Sequence, residues 1–408
     1  MSKRPGLLAR IFNAAATSWR EDFIDALTMG GESSSGMRVN SETAMRISTV
    51  NACVRIISDT VASLPLQVYK RLDSGGKAIW PTHPLYELLN TRPNPWQTTM
   101  DWLSQAVNHL LFRGNYYGAV LRHGDSIVDD IIPLNPDRVE VTQLPDYSLT
   151  YKVALADGPA IILAQEDVLH IRGLSSNGIT GRGVITDARE MFGAALATQE
   201  YSGRLFKNDA TPGVVIKLPG RLENDAAIKR LKESWDVDSS GVANSHKTRI
   251  LENGATIERM SLSAEDSQFI ETRKMQRSEI AALFGVPLML LQANDNTTTF
   301  ASAEQFMLSY TMHTIRPWLV RIEQALSRSL FTAPRIYFPR LNLDAIQRAD
   351  LKTRYEAYKM GRDGGWLSKN DVRSREDMNP IDGGDDYSSL AEIQNTRLMT
   401  GDTNGNQK

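Results

Sequence analysis

The residues that come nearest to a ligand-binding pattern lie between His170 and Gly183. A short apolar strand pattern ends at Arg172, and glycines follow at positions 173, 178, 181 and 183. Backbone amides in such a turn can hold a phosphate group at the start of a helix. A phosphate-binding loop, however, needs Lys and then Ser or Thr where this chain has Val184 and Ile185. A dinucleotide site keeps its glycines close behind the strand. We therefore favour a hinge or connector between two units over a nucleotide site.

Other reactive side chains are isolated in the sequence. The histidines are spaced too widely for two of them to bind one metal ion from neighbouring helical turns. They are His83, His109, His123, His170, His246 and His313. The segment Asp382–Asp386 lacks the spaced oxygen ligands and closing Glu of a calcium loop, which indicates a turn. No Gly-x-Ser-x-Gly nucleophile motif is present. The sequence predicts no catalytic residue, no metal site and no cofactor.

Length and charge narrow the possible classes of protein. A chain of 408 residues is too long for one hydrophobic core, so we expect two or more structural units. The 46 basic and 48 acidic residues give a formal net charge of -2, without the basic excess typical of proteins that grip nucleic acid. Either DNA is irrelevant to this protein, or the protein touches DNA without holding it.

The sequence gives little indication of secretion or membrane insertion. The single cysteine, Cys53, cannot form an internal disulfide, which fits synthesis in the cytoplasm. No apolar run is long enough for a transmembrane helix, and we expect no membrane association. The start, Ser2–Phe12, is basic, but its apolar run is too short for a secretory signal. Residues 1–39 predict a flexible arm, with Gly30–Gly36 as its linker.

Residues 40–172 predict one α+β unit. Asn40 or Ser41 is suited to cap a helix that ends before Pro65, with apolar residues at helical spacing on one face. Cys53 lies beside that face, which indicates a small buried side chain rather than a reactive thiol. A hairpin, two helices and six strands separated by turn residues follow.

The remaining pattern is dominated by long helices. Helices over 185–207 and 263–284 bracket an insertion of about fifty residues, for which the sequence predicts strands at 214–218, 249–251 and 256–260. We expect the last two strands to form a hairpin. A polar run precedes a third long helix over 300–331, in which Pro317 removes a hydrogen bond and should produce a kink. A strand at 336–338 and helices over 344–360 and 368–378 complete the α+β pattern.

Several segments, in order, resemble the portal proteins of lambda-like long-tailed bacteriophages. The first helix and its exit carry the most specific part of this likeness. The segments are Ala44–Ile57 with Val61–Leu66, His83–Asn90 with Arg92–Trp96, Leu110–Tyr117, Pro133–Val139 and Ile280–Pro287. Each segment is a weak signal alone, whereas the ordered set over residues 40–385 is specific.

The resemblance implies a portal fold: an α+β wing, two stem helices that bracket a small α/β clip, a kinked long helix and a helical crown. It places the wing at 40–183, the stem helices at 184–210 and 263–287, and the clip at 211–262. A tunnel loop would cover 288–299, the kinked wing helix and its strand 300–340, the crown 341–390 and a disordered tail 391–408. The two long helices on either side of an insertion are also predicted by the spacing of apolar residues alone.

The resemblance also implies a homo-oligomeric ring, typically of twelve subunits, at one capsid vertex of the virion. Double-stranded DNA would pass through it, while ATP hydrolysis would belong to the terminase. We expect the wing to face the major capsid protein. The terminase large subunit and a head–tail adaptor would dock on the clip, at residues Trp235, Asp236, Asp238, Asn244 and His246. Trp235 could equally lie in the core of the clip.

The polar run is the candidate for contact with DNA. A ring multiplies every axial side chain, and a dozen lysines would bind phosphates strongly enough to oppose sliding. We expect weak polar contacts instead, from Gln292, Asn294, Asp295, Asn296, Thr297, Thr298 and Thr299. The alternative is a solvated surface loop that makes no contact with DNA. A nucleic-acid-processing enzyme, another virion structural protein and a membrane-associated pore are the other classes considered.

Overall fold

The structure is a computed structural model of the α+β class, in which helices and antiparallel strands share one large core. Helices and strands are numbered in chain order. The residues described are 31–123, 127–155, 159–207, 214–217, 256–259, 264–292, 300–343, 351–376, 378–388 and 392.

The first predicted helix forms as two helices. α1 spans Ser41–Met45 and α2 spans Ser48–Ala62. Asn40 caps α1, since its side chain accepts a hydrogen bond from the Thr43 backbone and its own N–H donates to the Thr43 hydroxyl. The break falls at Ile47, whose extended backbone separates the two helices while its side chain stays buried. The predicted apolar face, including Cys53, is buried, and burial raises the pKa of the Cys53 thiol to about 12.

The first sheet brings distant parts of the chain together. It does not include β1 (Gly31–Glu32) and β2 (Arg38–Val39), which form a separate two-stranded sheet. β3 (Leu66–Arg71) pairs with β4 (Lys77–Ile79) in the predicted hairpin. The other edge of β3 pairs antiparallel with β13 (Tyr337–Leu341), so a strand near the end of the core closes against one near its start.

Two helices and six strands follow as the sequence predicts. The helices are α3 (Pro84–Asn90) and α4 (Thr99–Arg113). The strands are β5 (Asn115–His123), β6 (Ile127–Leu134), β7 (Val139–Gln143), β8 (Leu149–Val153), β9 (Ile161–Ala164) and β10 (Val168–Arg172). They form two antiparallel sheets, ordered β10-β5-β6 and β7-β8-β9. One face of each sheet meets in a small second core around Tyr117, Ile132 and Tyr151.

The long helices occupy the second half of the chain. α5 (Val184–Asp187) and α6 (Arg189–Lys207) lead to β11 (Val214–Lys217), and β12 (Thr256–Arg259) leads to α7 (Ala264–Phe284). A 3-10 turn at Leu288–Leu291 precedes α8 (Phe300–Tyr310) and α9 (Arg316–Leu330). α10 (Leu351–Asp363) and α11 (Lys369–Arg375) follow β13. None of the helices in the described ranges is long and apolar enough to cross a membrane.

The long helix that contains Pro317 has an irregular turn just before the proline. Residues Thr311–Ile315 form a π-helical turn between α8 and α9. Pro317 lies in the first turn of α9 and has no N–H to donate, so the hydrogen-bond pattern must change before it. The helical hydrogen bonding is therefore interrupted by a π turn, in which Thr311 and Ile315 are buried, while the kink itself stays a prediction.

The segment just before α1 differs from the flexible linker that its glycines and serines predict. Ser33 and Val39 are buried, and the Ser33 hydroxyl donates to the Met37 carbonyl. Ser33 packs against Gly193 of α6, where any added side chain would collide with it. Residues 31–39 are thus part of the packed structure rather than of an arm; residues 1–30 lie outside the described part of the chain.

Candidate functional site

Two paired helices, α6 and α7, leave the main core side by side. Phe192, Ala195 and Leu196 anchor the first half of α6, and Ile280 and Phe284 anchor the end of α7. Away from these anchors the helices are mostly exposed. In α7, every residue from 271 to 279 is exposed except Gln276, whose amide donates to Thr198 of α6 at 3.2 Å. At 1.5 Å per residue, each helix is roughly 30 Å long.

A strand pair ties together the chain segments beyond the paired helices. β11 follows α6, β12 precedes α7, and the two strands pair antiparallel from Val214 opposite Arg259 to Lys217 opposite Thr256. The predicted partner of β12 at 249–251 lies outside the described residues, so the predicted hairpin stays a prediction. The five predicted docking residues, Trp235 to His246, also lie outside the described ranges.

The glycine-rich segment is packed against the end of α4. Gly114 ends α4 in the left-handed conformation, with a φ of 72°. A Cβ atom at Gly181 would lie 1.9 Å from the Gly114 carbonyl oxygen, and one at Gly183 would lie 2.1 Å from the Phe112 carbonyl oxygen. These glycines are therefore required because two backbone segments touch, not because a ligand needs access.

Asn115 holds this contact through a complete set of hydrogen bonds. Its Nδ2 donates to the carbonyls of Arg113 and Gly181, at 3.1 and 2.9 Å. Its Oδ1 accepts from the Gly181 amide at 2.7 Å and lies 3.0 Å from His170 Nε2. Because Oδ1 is only an acceptor, His170 must carry its proton on Nε2, and its Nδ1 accepts from the Tyr151 hydroxyl at 3.2 Å. Burial, assisted by Arg172, lowers the pKa of His170 to about 3, so this ring is neutral.

The backbone amides of the segment are already occupied. The amides of Ile179 and Thr180 donate to the Asn177 side chain, and that of Arg182 donates to the Leu174 carbonyl. The Gly178 amide donates to the Ser175 hydroxyl. Since each amide from 178 to 182 has a partner within the body of the protein, none is available to hold a phosphate. The geometry favours the connector interpretation, because this segment joins β10 to α5 and α6.

The predicted DNA-facing run begins at an anchored turn. Gly285 has a left-handed backbone, and its carbonyl accepts a hydrogen bond from the Thr314 hydroxyl at 2.7 Å. Residues 288–291 form a 3-10 turn in which Leu290 and Leu291 pack against the main core, so these residues belong to the turn and not to a loop. Gln292 is exposed and ends this turn in the left-handed conformation. The other six residues of the run, 294–299, lie outside the described ranges.

The described histidines occupy structural or surface positions. His83 caps α3 by accepting from the Leu85 amide at 3.1 Å, and burial lowers its pKa. His109 contacts Tyr116, while His123 and His313 are exposed. Within the described residues, no three His, Cys, Asp or Glu side chains are grouped as metal ligands. Asp382–Asp385 form a turn fastened to Asn370, in line with the predicted turn.

The family match decides what this architecture is. The model of the phage portal protein family matches residues 48–377, which include α2, both paired helices and the π turn. The chain belongs to the phage portal protein family. This match does not distinguish a lambda-like subtype.

Curated relatives support the assignment to the portal family. The chain is 36% identical over 386 residues to the probable portal protein of Streptomyces phage phiC31, covering 90% of this chain and 82% of the relative. It is 27% identical over 351 residues to the portal protein of Enterobacteria phage HK97, covering 85% and 82%. The likeness therefore extends across most of each portal protein.

Solved structures share the fold. A chain in the neck of an empty gene transfer agent (GTA) particle, computed with C6 symmetry, has a TM-score of 0.62 and 23% identity. The match covers 88% of this portal-family chain and 99% of that one. A chain from the neck of the native GTA particle, computed with C12 symmetry, has a TM-score of 0.59 and 22% identity, with coverage of 84% and 94%.

Sequence reasoning missed the role of Asn115. Its neighbour Gly114 could be recognised as a helix-ending glycine, but nothing in the sequence connects Asn115 to Gly181, which is 66 residues away. The one available signal is a polar residue directly before the apolar run 116–121.

Proposed function

We propose that this chain forms a closed ring at one capsid vertex, through which double-stranded DNA enters and leaves the virion, and that it catalyses no reaction itself. The observation that carries the proposal is the pair of exposed helices, α6 and α7, projecting from a packed α+β body in a member of the portal family. We expect twelve subunits, supported by the C12 symmetry of the similar GTA neck.

Exposed apolar side chains on the paired helices support subunit packing. Tyr201 of α6 is 58% exposed and Met275 of α7 is 64% exposed. Burial of such side chains against a neighbouring copy would contribute about 25 cal/mol for each Å² of apolar surface removed from water. A ring therefore gives these helices the packing that a single chain lacks.

Particle mass tests the ring directly. Native mass spectrometry of the full chain should give a mass near twelve times 45.4 kDa, and negative-stain images should show a ring with a central hole. A monomer or dimer with nucleotide- or metal-dependent hydrolysis would contradict the proposal and favour a nucleic-acid-processing enzyme.

We place the DNA-facing constriction at Gln292 and residues 294–299. Support comes from the elements on either side: the Thr314–Gly285 hydrogen bond fixes the turn before the run, and α8 begins at Phe300 after it. Amide and hydroxyl groups would make weak contacts that exchange as DNA slides, without the salt-dependent grip of a cationic ring. The alternative is a solvated loop with no DNA contact.

Replacement of Asn294 and Asn296 by alanine separates these alternatives. Packaging or retention of DNA should change in particles that carry the double variant, while Asn379→Ala, which removes an exposed amide near α11, should leave both unchanged. Unchanged packaging and retention in the double variant would exclude the constriction.

We assign docking of the terminase large subunit and the head–tail adaptor to the clip, around Trp235, Asp236, Asp238, Asn244 and His246. The place of this segment in the sequence supports the assignment, since it lies between β11 and β12, the two strands that pair beside the paired helices. Trp235→Ala should weaken terminase binding while ring mass is retained. A loss of ring mass or folding would instead place Trp235 in the clip core. The wing would face the major capsid protein, and residues 341–390 would form the crown.

A further inference from the structure

A pocket of about 450 Å³ lies between β10 and α9. Strand β10 contributes Arg172 and His170, and the facing helix contributes Arg321 and Arg328. The remaining lining residues are Tyr151, Gln165, Glu166, Val168, Gln324, Ala325 and Ser329. Arginines thus approach one space from two different elements.

Local contacts hold two of these arginines in place. Arg321 Nη1 donates to the carbonyls of Arg172 and Gly173, at 3.3 and 2.6 Å. Arg172 donates from Nη1 to the Gly178 carbonyl at 3.0 Å and from Nε to His170 Nδ1 at 3.4 Å. A guanidinium has five N–H donors, so both retain further donors. Arg328, two turns beyond Arg321, is exposed and makes no hydrogen bond with the described residues.

The positive charge of the pocket is not balanced by its surroundings. Within the described part of the chain, none of the three arginines forms an ion pair with a carboxylate. Arg122, nearby, is paired with Asp167 at 3.6 Å, and Glu166 is the single carboxylate in the lining. Burial raises the pKa of the Tyr151 hydroxyl, and Arg172 and Arg328 partly oppose the rise, which places both charges near this oxygen. Three cations against one carboxylate leave an excess of two positive charges.

We propose that the pocket binds a phosphate group, either as free phosphate or as a phosphate of nucleic acid. A phosphate presents oxygens in tetrahedral directions, so it can accept from Arg172 on one wall and from Arg321 and Arg328 on the other. A planar carboxylate fits two donors from one arginine better than donors from opposite walls. The bound group would join β10 to α9. The inference does not depend on ring formation.

Calorimetric titration of the full chain with inorganic phosphate, at constant ionic strength, tests the site. Arg328→Gln should weaken binding about tenfold, because it removes charge-assisted hydrogen bonds from a side chain that supports no other contact. Arg328→Lys should give an intermediate loss, since it keeps the charge without the planar fork. Arg316→Gln is the matched control: this exposed arginine starts the same helix outside the pocket, and its loss should leave the affinity within about twofold.

Competition experiments identify the source of the phosphate. A short DNA duplex without terminal phosphates that displaces inorganic phosphate would indicate the nucleic-acid backbone, and failure to displace it would indicate a free phosphate. Both results support a phosphate site. Absence of phosphate binding, or equal weakening by the changes at Arg328 and Arg316, would overturn it. Binding of a short acidic peptide that depends on Arg328, without phosphate binding, would also overturn it in favour of a protein partner.

Discussion

Helices α2 and α7 are stabilised in different ways. α2 buries seven of its 15 residues between α4 and the rest of the main core. α7 has 21 residues, and among its described side chains only Ile280, Ala281 and Phe284, all in its last five residues, are buried. The body, which we define as residues 31–187 and 285–343, thus carries its own core, whereas most of α7 has little to pack against within one chain.

This difference indicates where stability originates in the assembled state. A single helix of this length is marginal in water, and most helical stability in proteins comes from packing. Changes in the body should therefore act on the folding of one chain, and changes on the paired helices should act on assembly. Four predictions test this division.

Trp102→Ala should have the largest effect. Trp102 is fully buried, and its Nε1 donates to the Tyr116 hydroxyl at 2.5 Å. Loss of the ring should lower the free energy of unfolding by about 3–5 kcal/mol. Urea denaturation measures the change. Trp366→Ala removes a side chain that is 61% exposed and should cost less than about 1 kcal/mol; similar losses for both would contradict the division.

The second largest effect is expected from mild acid, which should lower the free energy of unfolding of the body. Burial is the main reason that the pKa is about 4 for His109 and about 3 for His170. His109 is half-buried as a residue, but its Nδ1 is enclosed without a partner among the described residues. Unfolded histidine titrates near pH 6.5, so below that pH the unfolded chain binds more protons and stability falls, until the folded groups titrate.

The size of this acid effect can be measured by denaturation at two pH values. Between pH 7 and pH 5.5, each of the two histidines should remove about 1 kcal/mol of stability. NMR titration of the His170 ring should show no protonation in this range, and protonation near pH 6.5 would contradict the prediction.

Two glycines should respond to alanine in opposite directions. Gly181→Ala places a methyl group against the Gly114 carbonyl and should cost about 1–3 kcal/mol. The new methyl group of Gly203→Ala in α6 meets no atom within 4 Å apart from the backbone of its own helix, so the change should stabilise the helix by about 0.5–1 kcal/mol. Thermal unfolding of both variants provides the comparison, and destabilisation by Gly203→Ala would show that α6 is packed more tightly than the single chain indicates.

Met275→Ala should have the smallest effect on one chain. Its side chain is 64% exposed, so the free energy of unfolding should change by less than about 0.5 kcal/mol. Because the proposed ring would bury it, the fraction of assembled rings measured by native mass spectrometry should fall. A large loss of stability without a loss of rings would reverse the interpretation.

Local patterns predicted most of the body. The six predicted strands form in order between Asn115 and Arg172, since turn residues separate them clearly. The apolar positions of α2 are buried as predicted. The sequence does not predict the break at Ile47, because Ile47 fits the helical spacing of the apolar residues that follow it. The composition of Gly30–Gly36 predicts a linker, because it does not reveal the contact between Ser33 and Gly193.

Contacts between distant segments could not be predicted. The pairing of β13 with β3 joins residues about 270 positions apart, and no local signal specifies such a partner. The arginines of the pocket are likewise separated in sequence and meet only because α9 packs against β10. The predicted channel and docking residues all stay predictions.

The π turn at Thr311–Ile315 determines how far α8 is rotated about the helix axis relative to α9. Each residue added to an α-helix rotates the part of the helix before it by about 100° relative to the part after it. The buried face of α9 is fixed by Leu319, Ile322 and Leu326, so the π turn determines the direction in which α8 presents exposed Phe306 and Leu308. A one-residue deletion there would leave the composition almost unaltered and redirect that face by about a quarter of a circle.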